Sequence, residues 1–298
     1  MAKRELFLRN MHILNKLKMG PATFEQIDAY LKRQSEMQGY DLNISKRQFQ
    51  RDLQDICSIN DIEINYDFKL KVYAINEEEL SEVSKRRMEA LDTFNALKMA
   101  ESSFRSIQFE KRKPQGTENL NGLLHSITNN LRISFTYQKY WEDEITHRTV
   151  EPYALKEFSN RWYVLAKDLK DGQIKSFALD RLSQLEISKT RFKPSKTFDI
   201  NEYYKFCFGI ISPTDHELHE VILQFDAFQG KYIKSLPLHE TQQVIVDNAD
   251  EVRIKLKVYL THDFLQEILK YGENVKVIQP EILIQQVKAT YKNALKQY

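Results

Sequence analysis

Apolar residues in the first 60 positions recur every three or four residues, which is the spacing of amphipathic helices. The pattern predicts three helices: one over residues 5–18, a second that begins after Thr23 and a third that begins after Ser45. Thr23 and Ser45 each precede a Gln by three positions, as in a capping box. The third helix has its predicted buried face at positions i, i+4 and i+7, namely Phe49, Leu53 and Ile56.

A β-hairpin is predicted directly after the three helices. Two short apolar runs, residues 62–66 and 70–75, flank the sequence Asp-Phe-Lys at 67–69. Three short helices followed by a hairpin are typical of a winged helix-turn-helix, the third helix being the one that enters the DNA major groove. Residues 1–76 are therefore predicted to form a winged helix-turn-helix DNA-binding domain.

The positions of the third helix that its buried face leaves free carry long polar side chains. Arg and Lys bind phosphates and guanine edges, Gln binds adenine edges, and a helix N-terminus favours a nearby phosphate. We therefore predict that the third helix and the hairpin contact DNA through Ser45, Lys46, Arg47, Gln48, Gln50, Arg51, Lys69 and Lys71. A solvated charged face, or a winged helix that docks a protein, explains the same residues.

The next segment combines a helical pattern with a polar break. Apolar positions keep helical spacing over residues 77–104, residues 109–119 are polar with Pro114 and Gly116, and a short helix is predicted at about 117–129. We interpret residues 77–130 as a helical linker.

From residue 131 the period of the apolar positions changes to two, which predicts successive short strands. Closely spaced short strands are typical of a small β-barrel, predicted here over residues 131–193. After a connector at 194–215, residues 216–298 follow the order β-α-β-β-α-β of a ferredoxin-like unit. The chain is thus predicted to be an α+β multidomain protein.

The middle segment resembles the WYL domain family. The residues that carry the resemblance are VEPY at 150–153, RWYVLA at 161–166 and SFALDRL at 176–182. The motif that names the family is Trp162-Tyr163-Val164, with Val in place of Leu, and the F-x-L-D-R run ends at Arg181. The C-terminal segment resembles the extension that often follows a WYL domain, and a winged helix is the usual companion.

The resemblance implies a transcription regulator, commonly a homodimer, whose WYL domain is a small Sm/SH3-like barrel that senses a ligand, with nucleotides or nucleic acids as the implied ligands. In this family the arginine at the position of Arg181 belongs to the ligand pocket, and its planar guanidinium suits a phosphate. The predicted ligand-binding residues are Tyr137, His147, Arg148, Tyr163, Ser176 and Arg181. A surface pair between Asp180 and Arg181 is the structural alternative, and Trp162 is assigned to the core because strand alternation sends it and Tyr163 to opposite faces.

Composition and missing motifs count against several other classes of protein. The chain has 44 basic and 42 acidic residues, so a DNA-binding surface has to come from local clustering of charge. Cys57 and Cys207 lie far apart, with no CxxC pair or Cys/His cluster, so neither a metal site nor a disulfide framework is predicted. There is no signal-peptide core and no membrane-length apolar run, so a cytoplasmic location is expected. Known catalytic motifs are absent, so no catalytic residue or cofactor is predicted.

These patterns predict a DNA-binding transcriptional regulator rather than an enzyme. A homodimer, to which the C-terminal unit can contribute, binds a double-stranded operator, and a small-molecule or oligonucleotide ligand at the WYL domain modulates that binding. Two alternatives stay open. The first is an accessory protein that binds single strands through its WYL domain and docks a protein through its winged helix; the second is an enzyme with an unrecognised site in the barrel.

Overall fold

A computed structural model describes residues 2–100, 115–140, 144–195, 198–211 and 217–298. Within these ranges the chain is an α+β protein with three antiparallel sheets, and it divides into two compact units, Met1–Glu110 and Lys111–Tyr298. Most of the predicted polar linker, including Pro114, lies outside the described residues. None of the helices described is long and apolar enough to cross a membrane.

The first unit contains the three helices and the hairpin that the sequence predicts, followed by a fourth helix. Its elements are α1 (Ala2–Lys18), α2 (Phe24–Gln38), α3 (Lys46–Asn60), β1 (Ile64–Asp67), β2 (Val72–Ile75) and α4 (Glu82–Ala100). Ala22, between α1 and α2, forms an antiparallel bridge with Tyr73 of β2, so the hairpin is tied to the start of α2.

Local capping explains where α2 and α3 begin. Thr23 accepts the backbone N–H of Gln26, and the Gln26 side chain accepts the N–H of Thr23, which completes the predicted capping box. Ser45 likewise accepts the N–H of Gln48 at 3.2 Å. The Gln48 side chain, however, turns to Asp52 instead of the Ser45 backbone, so α3 has a single N-cap bond and not the predicted box.

The core of the first unit is formed by the apolar faces of all four helices. Phe49, Leu53 and Ile56 of α3 are buried in it, as predicted. Met88 of α4 belongs to the same core, and the Ser84 hydroxyl donates to the Asp61 carbonyl at 2.8 Å. The beginning of the predicted linker helix is therefore part of the first folded unit.

The middle of the chain forms a five-stranded sheet with a helix packed on it. Its elements are α5 (Leu120–Thr128), β3 (Leu131–Lys139), β4 (Glu144–Phe158), β5 (Arg161–Asp168), β6 (Ile174–Ala178) and β7 (Leu182–Arg191). The strand order is β6-β5-β4-β3-β7, and the long strand β4 pairs with β3 through its first half and with β5 through its second half. The β4–β5 register shifts at Pro152, which has no N–H to donate. Leu123 of α5 is buried in the core of this sheet.

The last part of the chain follows the predicted order β-α-β-β-α-β and ends in an additional helix. Its elements are α6 (Ile200–Tyr204), β8 (Leu218–Asp226), α7 (Ala227–Ser235), β9 (Gln243–Asp247), β10 (Glu251–Tyr259), α8 (His262–Lys270), β11 (Val275–Gln279) and α9 (Glu281–Leu295). The strand order is β11-β8-β10-β9. Alternate residues of β10 are buried, as its sequence predicts: Val252, Ile254, Leu256 and Val258.

Candidate nucleic-acid interface and ligand pocket

Helix α3 presents its long polar side chains on the face opposite its buried residues. Arg47, Gln50 and Arg51 are exposed, and Gln54 continues the same face one turn later. Within the part of the chain that the structure describes, the side chains of Arg47 and Arg51 have no ion-pair or hydrogen-bond partner. Gln54 was not predicted to contact DNA, although it lies seven positions after Arg47 and therefore on the same face of the helix.

The other predicted residues of α3 contact the protein itself. Lys46 Nζ lies 3.7 Å from Glu25 Oε1. This ion pair is weak because both side chains are largely exposed to solvent (77% and 73%). The Gln48 amide donates to Asp52 Oδ1 at 2.7 Å, and Ser45 caps the helix. DNA contacts by Ser45, Lys46 and Gln48 stay a prediction, as do those of the exposed residues of α3 and the hairpin.

Asp52 is a fully buried carboxylate on α3 that the sequence analysis did not single out. It forms an ion pair with Arg9 of α1, whose Nη2 lies 3.3 Å from Oδ1, and it also accepts the Gln48 amide. Because a buried charge is tolerated only when it is paired and hydrogen-bonded, these contacts fix α3 against α1. The sequence did contain an indication of this buried carboxylate, because Asp52 lies within the apolar stripe of an amphipathic helix.

The hairpin next to α3 carries Lys69 and Lys71 on its exposed loop. Neither ammonium group has a partner among the residues described. The strand predicted from residue 70 begins only at Val72, because Asp67 Oδ1 accepts the N–H groups of Lys69 and Leu70 and thereby extends the turn. Tyr73 connects the hairpin to α3: its hydroxyl accepts the Gln50 amide at 2.9 Å.

Three of the predicted ligand-binding residues, Tyr137, Tyr163 and Arg181, lie close together in the second unit. The Arg181 guanidinium carbon is 5.7 Å from the centre of the Tyr137 ring. Tyr163, on β5, is close enough for the charges of Arg161, Asp180 and Arg181 to affect its pKa, although burial is the main reason that this pKa is raised. Burial also raises the pKa of Tyr137, against the opposing effect of Arg181.

Two further side chains belong to this group and were not predicted. Tyr140, which follows β3 and is 61% exposed, has its ring centre 4.8 Å from the Arg181 guanidinium. Arg161 donates to Asp180 Oδ2 at 2.6 Å. Arg181 Nε and Asp180 Oδ1 form an ion pair at 3.9 Å, as in the structural alternative, but both atoms are buried without a hydrogen-bond partner among the described residues. We call these side chains the Arg181 cluster: Tyr137, Tyr140, Arg161, Tyr163, Asp180 and Arg181.

Arg148 and Ser176 bond to other parts of the fold and not to the Arg181 cluster. Arg148 is buried and donates to Asp168 Oδ2 at 2.9 Å. Burial alone would raise the pKa of Asp168, but the Lys170 N–H, the Lys175 ammonium and Arg148 together hold it below its usual value. Ser176 is hydrogen-bonded to the Tyr204 hydroxyl at 2.9 Å, next to the connector.

His147 is exposed on β4, on the strand face opposite that of its neighbour Arg148. Trp162 packs against the core of the five-stranded sheet. A role of His147, Arg148 or Ser176 in ligand binding stays a prediction, as it does for Tyr137, Tyr163 and Arg181. Among the described residues, no group of His, Cys, Asp and Glu side chains is arranged to hold a metal ion.

Comparison with known proteins identifies two domains. The WYL domain model matches residues 118–187, which include α5 and most of the five-stranded sheet, and the WCX domain model matches residues 217–295. None of the curated proteins matches the chain.

Two solved structures are similar over nearly the whole chain. Proteasome accessory factor B/C (PafBC) of Arthrobacter aurescens has a TM-score of 0.35 and 19% identity, over 96% of this chain and 46% of that one. A CRISPR Cas-related protein has a TM-score of 0.39 and 11% identity, over 99% of this chain and 85% of the other. The chain therefore spans less than half the length of the PafBC chain.

Proposed function

We propose that this protein, whose chain contains a WYL domain followed by a WCX domain, is a DNA-binding transcriptional regulator and not an enzyme. In this proposal the first unit is a winged helix-turn-helix, with α3 as the recognition helix and the β1–β2 hairpin as the wing. The WYL domain is an Sm/SH3-like barrel that senses a ligand, and the WCX domain is a ferredoxin-like unit. The protein acts as a homodimer in the cytoplasm.

The observation that carries the proposal is the outer face of α3. A major groove about 12 Å wide admits one helix, and Arg and Gln are the side chains that bond guanine and adenine edges. Arg47 and Arg51 have no ion-pair partner within the described ranges, so binding to DNA breaks no existing ion pair. The Gln50–Tyr73 bond joins α3 to the hairpin that carries Lys69 and Lys71, and lysines on such a wing suit the phosphates next to the groove.

The test is duplex binding by the purified full-length protein, using its own upstream region and a scrambled duplex across a salt series. The double variant Arg47→Ala/Arg51→Ala is expected to lose specific binding, since each base-contacting arginine contributes about tenfold to a hundredfold in affinity. Arg86→Ala/Arg87→Ala on α4 removes the same charge from exposed positions of the same unit and is the matched control.

Each alternative gives a different result in this assay. If the Arg47/Arg51 variant binds the specific duplex as tightly as the wild type, α3 is not the recognition helix. If the wild type binds neither duplex, the winged helix is a protein-docking module, as in the single-strand accessory role. For the proposed dimer we expect two chains per duplex and half-sites about 34–36 Å apart.

We further propose that the Arg181 cluster binds the sensed ligand, a nucleotide or a short single strand. The guanidinium of Arg181 suits a phosphate, and the exposed ring of Tyr140 is available to stack on a base. Arg181 Nε and Asp180 Oδ1 attract each other at 3.9 Å, which is too long for a hydrogen bond. Buried polar atoms are normally hydrogen-bonded, so a ligand that accepts from Arg181 Nε and donates to Asp180 Oδ1 would satisfy both atoms. Such a ligand changes operator affinity only to the extent that it prefers one DNA-binding state.

Substitution of Arg181 tests the ligand site. With a labelled oligodeoxythymidine and a labelled adenine nucleotide as probes, Arg181→Gln is expected to weaken fluorescence-anisotropy binding by at least about tenfold, because a charge-assisted phosphate contact is lost. Arg191→Gln, at an exposed position of β7, is the charge-matched control. Equal binding by the wild type and Arg181→Gln, or no binding of either probe by the wild type, would contradict this site.

A further inference from the structure

The tip of the β1–β2 hairpin is apolar and exposed. Phe68 is 84% exposed and Leu70 is 70% exposed, and they alternate with Lys69 and Lys71 in the turn. Single exposed apolar residues are common on protein surfaces. Here, however, a phenylalanine and a leucine are exposed together at the tip of one hairpin, and a lysine follows each of them. This combination is less common than a single exposed apolar residue.

This tip is held in place by a series of contacts that begins on α3. Gln50 bonds to Tyr73, the Tyr73 ring lies 4.7 Å from the Tyr66 ring, and the Tyr66 ring lies 5.0 Å from the Phe68 ring. Asp67 fixes the turn by accepting the N–H groups of Lys69 and Leu70. The Phe68 ring is therefore connected to the recognition face of α3 through this series of contacts, so part of its conformational freedom is already lost before binding.

The charge of the tip indicates the kind of partner. Lys69 and Lys71 have no ion-pair partner among the described residues, so the apolar tip is bordered by free positive charge. A DNA minor groove has this complementary arrangement, with apolar sugar walls and base edges between two rows of phosphates. Proteins that bind the minor groove insert Phe or Leu between base steps and kink the duplex.

We propose that Phe68, supported by Leu70, is a wedge that enters the minor groove next to the major-groove segment bound by α3, partly unstacks one base step and bends the duplex. This inference rests on the proposed DNA-binding function and adds DNA deformation to the way the first unit selects its site. Pyrimidine–purine steps such as TA and CA unstack most easily, so one such step is expected where Phe68 inserts.

Two readouts on the specific duplex test the wedge. Energy transfer between dyes at the two ends reports bending, and 2-aminopurine placed at successive positions reports unstacking by an increase in fluorescence. The wild type is expected to increase both signals, with the 2-aminopurine increase confined to one step per half-site. Phe68→Ala is expected to lose both signals and about tenfold in affinity, while it still prefers the specific over the scrambled duplex.

The controls separate the wedge from general apolar exposure. Met37→Ala removes a side chain that is 72% exposed on α2, away from the hairpin, and should bend DNA like the wild type. Phe68→Leu keeps an apolar wedge and should retain most of the bend. Specific binding without any bend, or an unchanged bend in Phe68→Ala, overturns the wedge and leaves the regulator proposal standing. If the wild type binds no duplex at all, both proposals fall together.

Discussion

Replacement of Asp52 by alanine is expected to destabilise the first unit by about 3 kcal/mol, because it leaves a charged partner in the interior without its counterion. The Asp52 side chain is completely buried and pairs with Arg9, which is only 13% exposed. The substitution also removes the acceptor of the Gln48 amide. We place the effect at the low end of the range for broken buried ion pairs because Arg9 still reaches solvent.

Denaturant unfolding of the full-length protein, followed by far-UV circular dichroism, measures this effect as a shift of the transition of the first unit. Asp55→Ala removes the same charge from an exposed position three residues later on α3 and should change the stability by less than about 0.5 kcal/mol. Arg9→Met/Asp52→Leu replaces both charges with apolar side chains and should recover most of the loss. A change below about 1 kcal/mol in Asp52→Ala would mean that the ion pair stabilises the first unit far less than its burial implies.

The ion pair also bears on the proposed binding of DNA by α3. The face that α3 presents to solvent depends on its rotation about its own axis, and Asp52 is the charged residue that anchors the buried side of the helix to α1. A change at Asp52 is therefore expected to weaken DNA binding through the position of Arg47 and Arg51, even under conditions where the unit remains folded.

The sequence predicted the helices and the hairpin of the first unit because their signals are local. The N-cap residues Thr23 and Ser45 lie within three positions of the groups that they bind. The Asp52–Arg9 pair escaped prediction because its partners are 43 positions apart and lie on different helices. Periodicity shows which face of a helix is buried, but it does not show which residue of another helix that face meets.

The proposed ligand site was only partly predicted for the same reason, because the sequence does not show which residues of different strands lie next to one another. Tyr137 pairs with Leu182 in the β3–β7 ladder, which brings it next to Arg181. Arg148 has a closer carboxylate, Asp168, 20 positions along the chain. Tyr140 was not predicted because it lies just beyond β3, outside the alternating pattern that selected the strand residues.

Gly116→Ala is expected to destabilise the second unit by about 2–5 kcal/mol. A Cβ atom at this position would lie 2.3 Å from the backbone carbon and oxygen of Leu179, which cannot move independently of the turn that they belong to. Overpacking of this kind costs about 1–3 kcal/mol. The φ angle of Gly116 is +78°, and a left-handed conformation costs an alanine about 1–2 kcal/mol more.

The sequence places Gly116 in a linker, whereas the structure buries it against the turn Leu179–Arg181. Gly116→Ala should therefore displace Asp180 and Arg181 and weaken binding of the labelled oligonucleotide in addition to lowering the unfolding midpoint. Gly172 provides the matched control: its φ angle is +75°, but no atom lies within 4 Å of an added Cβ. Gly172→Ala should therefore lose only the stability that the left-handed φ angle costs an alanine, about 1–2 kcal/mol, and should bind the oligonucleotide like the wild type. Equal losses of stability in the two variants would mean that the approach of Gly116 to Leu179 does not constrain the turn that carries Arg181.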